Sequence, residues 1–173
     1  INDEQKSNIT ETEFEFSRNN AIGLYDSSNG GFDPDIWKNS SSEDIDYLLN
    51  KTPFKTSSSV LRDLMIRSIL TTSNPPTKQN SEIITFLDMR INFLVKNGLF
   101  NEFYKLAILI EEKEWNDNIK LNLKNYYLLH NYKFLCKKDS LLFPISDSYL
   151  TLYYDSFCNC LLYTSDAADD RSC

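Results

Sequence analysis

Six apolar stripes at helical spacing run along this chain, several opened by cap-forming residues and closed by proline or glycine. That patterning argues against a sheet. Ser40 followed by Glu43 has the form of a capping box, and Ile45, Leu48 and Leu49 then line a short helix that stops before Pro53. The serine run Ser57–Ser59 opens a second helix, with Leu61, Leu64, Met65 and Ile69 on one face and Pro75-Pro76 beyond its end. Ser81 opens a third, with Glu82 in its first turn and Ile84, Leu87, Ile91, Leu94 and Val95 facing inward. Lys96-Asn97-Gly98 closes it, placing a glycine where the chain needs a left-handed residue and leaving Leu99 free to meet Leu94. A fourth helix from about Asn101 turns Phe103, Leu106, Ala107 and Ile110 inward. Asp117 caps a fifth that runs through Ile119, Leu123, Tyr126, Tyr127, His130 and Phe134 to about Lys137. Pro144 and Ser146 restart a sixth through Leu150, Tyr153, Tyr154 and Phe157.

The fold expected is therefore all-α: stacked antiparallel helix pairs, tetratricopeptide-like or an irregular α-solenoid or bundle, preceded by a disordered N-terminal segment. Residues 1–20 are polar, with Phe14 and Phe16 the only aromatic anchors, and read as a linker or tail. Residues 21–40, with Gly30-Gly31 and Pro34, read as an ordered loop packed on the helices, with Trp37 as its structural anchor. Residues 41–159 form the helical domain. From Cys160 to Asp170 the chain is similar to a sequencing-library adapter read as protein, so 160–173 stands outside the fold argument. With an opening residue of Ile1, this reads as a truncated gene fragment.

Composition narrows the function classes. A net charge of −7 with interspersed signs speaks against a nucleic-acid groove, which needs clustered bases. No run approaches the roughly 18 apolar residues of a membrane span. Cys136 and Cys158 match no zinc or redox spacing; they read as incidental thiols, or as a disulfide if the compartment is oxidising.

Helix starts near Ser42, Ser81 and Asp117 give a spacing close to that of tetratricopeptide arrays. The turn from Lys96 to Phe100, followed by Tyr104 and Ala107, is similar to the turn inside such a repeat, although the repeat's early Trp and closing Pro are not at their places. The segment Ala21 to Trp37, with its Gly-Gly turn and Asp35-Ile36-Trp37 close, resembles a family of uncharacterised alphaproteobacterial envelope proteins. Leu61 to Leu70 with Pro75-Pro76, and the helix from Leu87 to Gly98, also look like that family. Some of its members carry the label "antifreeze glycopeptide polyprotein". The resemblance implies an exported, periplasmic or cell-envelope protein and brings no catalytic residues.

Reactive constellations are thin. His130 is the only histidine, and nothing near it in sequence completes a zinc set or a nucleophile–base pair. Asp26 to Gly31 alternates oxygen ligands as a calcium loop does, but Trp37 stands where the bidentate Glu belongs. Glu111, Glu112, Glu114 and Asp117 crowd one helix end and read as a solvated loop rather than a carboxylate pair across a cleft. No cofactor, metal or catalytic residue is expected. The aromatic residues of the last two helices offer a recognition face, with Tyr127, Tyr132 and Tyr154 as its candidate contacts. The function expected is a non-catalytic helical-repeat module of the bacterial envelope that binds a protein or peptide. The alternative is a helical accessory region of a cell-wall-acting enzyme.

Overall fold

The computed structural model describes residues 21–52, 54–78, 85–142 and 148–166. Among these residues it has seven α-helices, one 3₁₀ turn and no strand. The chain divides into two units, up to Ile110 and from Glu111 onward, where the helical pattern alone suggested one domain. The expected tail at 1–20 lies outside the described residues, as do Ser81, Glu82, Ile84, Pro144 and Ser146.

The first unit holds α1 (Ser42–Lys51), α2 (Ser59–Leu70), α3 (Phe86–Lys96) and α4 (Phe100–Ala107). Each start is set by a side-chain oxygen meeting an orphan backbone N–H. Ser41 accepts from Asp44 N at 3.1 Å and donates to its carboxylate at 2.7 Å, so the capping box sits one residue beyond Ser40 and Glu43. Ser58 caps α2 through Leu61 N. Thr85 and Asp88 form the reciprocal pair that opens α3.

The close of α3 follows its sequence signal. Leu99 N donates to Leu94 O at 2.9 Å and Gly98 N to Val95 O at 3.0 Å, with Gly98 at φ 74°. A Cβ at Gly98 would meet nothing within 4 Å, so Gly98→Ala tests the backbone conformation alone. It is expected to lower stability by about 1 kcal/mol in urea unfolding.

From Phe86 to Leu94, α3 is buried everywhere except at Asn92. It packs with α1 and α4, and its Phe93 and Leu94 join Ile45, Phe103 and Leu106 in the core. By contrast α2 buries only Ile69 and Leu70, at its last turn.

Residues 21–40 hold turns and no helix. The loop runs parallel to the segment after α2. Leu24 N and Tyr25 N donate to Leu70 O, Thr72 N to Tyr25 O, Asn74 N to Pro34 O, and Ser42 N to Lys78 O. Gly23 makes this approach possible: a Cβ there would collide with the backbone of Thr71 and Thr72. Trp37 is buried, 8% exposed, with its ring 6.2 Å from that of Phe86.

Arg90 ties loop and helices together. Its guanidinium is wholly buried and donates to three backbone carbonyls: Nε to Ile69 O at 2.6 Å, Nη1 to Ile22 O at 2.6 Å, and Nη2 to Thr71 O at 3.2 Å. The last carbonyls of a helix have no partner within it, and α2 has no glycine cap. Arg90 and the loop amides supply those partners, with the cation at the negative end of the helix. Burial pushes its pKa down to about 10, which leaves it charged at neutral pH.

The second unit holds a 3₁₀ turn (Glu112–Glu114), α5 (Asp117–His130), α6 (Tyr132–Leu142) and α7 (Ser148–Asp166). Consecutive helices pack on one another around Ile119, Leu123, Leu135, Tyr154 and Cys158. The cap of α5 is Asn116, whose Oδ1 accepts from Ile119 N at 2.9 Å, rather than Asp117. The single helix expected from Asp117 to Lys137 is two helices, because Asn131 breaks it. Asn131 leaves the helical region at φ −157° and ψ 64°, and its side chain accepts from Phe134 N, opening α6. Helix α7 continues past residue 159, where the helical domain was expected to end, as far as Asp166. Cys136 on α6 and Cys158 on α7 form a disulfide. Of the two readings that the cysteine spacing allowed, the structure adopts the bridged one.

Candidate functional site

The candidate contact tyrosines sit in the second unit, whereas Trp37 and the Asp26 loop belong to the first. Tyr127 on α5 is half-buried, its ring 5.7 Å from Tyr126 and 4.7 Å from Phe134. Tyr132, the first residue of α6, is also half-buried. Tyr154 on α7 faces inward: it is 3% exposed, its hydroxyl donates to Asn125 Oδ1 at 2.7 Å, and Lys124 Nζ lies 5.0 Å from its ring centre. A hydroxyl and ring engaged in this way hold α7 against α5. Tyr127 and Tyr132 retain partial exposure.

His130 is exposed at the end of α5, stacked on Tyr126 at 4.3 Å with Nδ1 2.9 Å from Tyr126 O. The Asp26 loop closes on itself. Ser28 Oγ donates to the Asp26 carboxylate, as do Ser28 N and Asn29 N, and these bonds hold it below the usual carboxylate range. Glu111 and Glu112 are exposed and Glu114 half-buried on the connection into α5, and Asp117 is exposed as the first residue of that helix. Among the described residues no three acidic, His or Cys side chains converge as a metal site.

An open concave surface lies elsewhere among the described residues, in the first unit between α1 and α2. Leu48 and Leu49 of α1 face Leu61, Met65 and Ile69 of α2 across a cleft of about 390 Å³. Trp37 and Phe93 also line it, with Thr52, Thr56 and Ser68 as its polar members. Leu48 is 49% exposed and Leu61 48%, with Leu64 beside them at 45%. Full burial of a leucine is worth ~1.5–3 kcal/mol, so each of these leaves on the order of 1 kcal/mol ungained. The Trp37 indole N–H is buried without a hydrogen-bond partner among the described residues.

A second hollow, about 570 Å³, adjoins the first and shares Thr56 with it. Its lining is cationic: Lys55, Arg62 and Lys96, with Phe54, Thr56 and Asn97. Phe54 meets Phe93 edge-on at 5.9 Å, so one aromatic pair reaches from the cationic hollow into the apolar cleft.

The sequence pattern read Leu61, Leu64 and Met65 as an inward stripe. That reading assumes a helix packed along the whole of α2, whereas α2 is buried only at its C-terminal turn. A signal was present: the stretch from Lys51 to Ser58 holds only Phe54 as a large apolar residue, too little to cover two helix faces. No family model matches this chain, and neither a curated protein nor a solved structure does. Among the described residues no helix is long and apolar enough to cross a membrane.

Proposed function

We propose that this protein is a non-catalytic protein-interaction module, and that a segment of its partner lies in the cleft between α1 and α2. The observation that carries this reading is the open apolar cleft, with Leu48 and Leu61 half-exposed on its two walls. An apolar groove between helices suits an amphipathic segment whose side chains enter at helical spacing. The helical-repeat character belongs to the same proposal, supported by the helix spacing and by the turn at Gly98. So does a place in the bacterial cell envelope, for which the Cys136–Cys158 bridge is the physical support, since such bonds persist in oxidising compartments.

The test selects peptides from a displayed random library on the purified protein and compares the wild type with a Leu48→Glu, Leu61→Glu variant. Both positions are half-exposed, so the variant is expected to fold, which circular dichroism checks. Selected peptides are expected to carry apolar residues three or four apart and to bind the variant at least about tenfold more weakly, or about 1.4 kcal/mol. Equal binding to both proteins would contradict the assignment. Loss of binding only on Tyr127→Ala, Tyr132→Ala would move the site to the second unit.

A further inference from the structure

We infer that the segment received by the cleft is acidic: it carries carboxylates beside its apolar residues, and these dock against Lys55, Arg62 and Lys96. The inference rests on the proposed binding role of the cleft and names the chemistry of the partner.

The first support is charge. The chain carries 25 acidic and 18 basic residues, yet among the described residues the hollow adjoining the cleft is lined by three basic side chains and no acidic one. The nearby acidic side chain of α2, Asp63, is already engaged by Arg67 at 2.7 Å. None of Lys55, Arg62 or Lys96 forms an ion pair among the described residues. Bringing like charges together costs energy, and an incoming carboxylate relieves that cost.

The second support is positioning. Arg62 Nη1 donates to Thr56 O at 3.0 Å, and Lys96 Nζ lies 3.3 Å from Asn50 Oδ1 and 3.4 Å from Asn50 O. These bonds hold two of the cations at the mouth of the hollow. Arg62 is one residue from Leu61, and Thr56 belongs to both linings, so a ligand seated in the cleft passes directly beside the charges.

An anionic amphiphile, a fatty acid for example, shares this chemistry: an apolar part and a negative head. The exposure pattern favours a peptide. Leu48, Leu61 and Leu64 form an extended, half-wet rim that a single acyl chain on the floor leaves uncovered and a helical segment covers.

The experiment uses three synthetic amphipathic helical peptides with the same leucine face, flanked by Glu, Gln or Lys, titrated into the full chain at low and at physiological salt. The Glu peptide is expected to bind roughly tenfold tighter than the Gln peptide at low salt, with the advantage shrinking as salt rises. A Lys55→Glu, Arg62→Glu variant, both positions exposed, is expected to reverse the preference toward the Lys peptide. Equal binding of the Glu and Gln peptides, or an unchanged preference in the variant, overturns the acidic assignment while leaving the apolar cleft standing. Failure of all three peptides to bind removes the cleft reading and this one with it. Oleate displacing a bound Glu peptide from the cleft at lower concentration than the unlabelled peptide assigns the site to an amphiphile and overturns the inference.

Discussion

Arg90→Met is expected to lower the free energy of unfolding by about 3–5 kcal/mol, the range for breaking a buried charged network. Methionine fills much of the volume of the arginine stem, so the loss comes from hydrogen bonds rather than from a cavity. Three carbonyls, of Ile22, Ile69 and Thr71, lose their donor together. Two of them sit at the C-terminal end of α2, where no glycine cap exists to replace it. Arg90→Lys keeps the charge but not the fork, and one ammonium does not span three carbonyls, so only part of the stability is expected to return. Urea unfolding measures both variants. Amide exchange at Leu24 and Tyr25, whose N–H groups bond to Leu70 O, is expected to accelerate together with the global loss. A methionine variant within about 1 kcal/mol of wild type would mean that those carbonyls find other partners.

The second large effect is expected from the disulfide. The Cys136–Cys158 bond joins α6 to α7 across a sequence separation of 22. Closing a loop of that length restricts the unfolded chain by about 3 kcal/mol on the entropic account. Cys158 is buried while Cys136 is half-buried, so the bridge also fixes the packing of α7 beside Tyr154. Cys160 is itself disulfide-bonded, which makes reduction an unspecific probe. The cleaner variant is Cys136→Ala, Cys158→Ala. It is expected to unfold at a lower urea midpoint and to lose amide protection along α6 and α7 first. Unchanged stability would show that helix packing alone holds these two helices together.

The architecture was largely legible because helix signals are local. Ser58 caps α2 where the serine run suggested it, and Gly98 ends α3 with the bonds its position implies. Errors arose where two local signals compete. Asn131 lies inside an unbroken apolar pattern, and its preference for a cap outweighs that pattern. Asn116 precedes Asp117, and either can accept from the first turn, so the boundary moved by one residue.

The cleft was not legible, because nothing local tells a buried stripe from an uncovered one. Leu61 and Met65 look the same in either case, and only the placement of α2 against its neighbours decides. Arg90 carries a local signal of its own. It lies three residues after Leu87 and four before Leu94, within the apolar face of α3, and a cation at such a position marks a polar group enclosed on purpose. Lys55, Arg62 and Lys96 are scattered over three segments and meet only in the fold.

The chain has two methionines, and they separate the cleft from the core. Met65 lines the cleft, whereas Met89 is 2% exposed inside the first unit. Methyl resonances of methionine-labelled protein, followed while the leucine–glutamate peptide is added, test the central claim most directly. Occupation of the cleft predicts that the Met65 methyl shifts in a saturable way while the Met89 methyl stays in place. A bound peptide that leaves Met65 unmoved would contradict it.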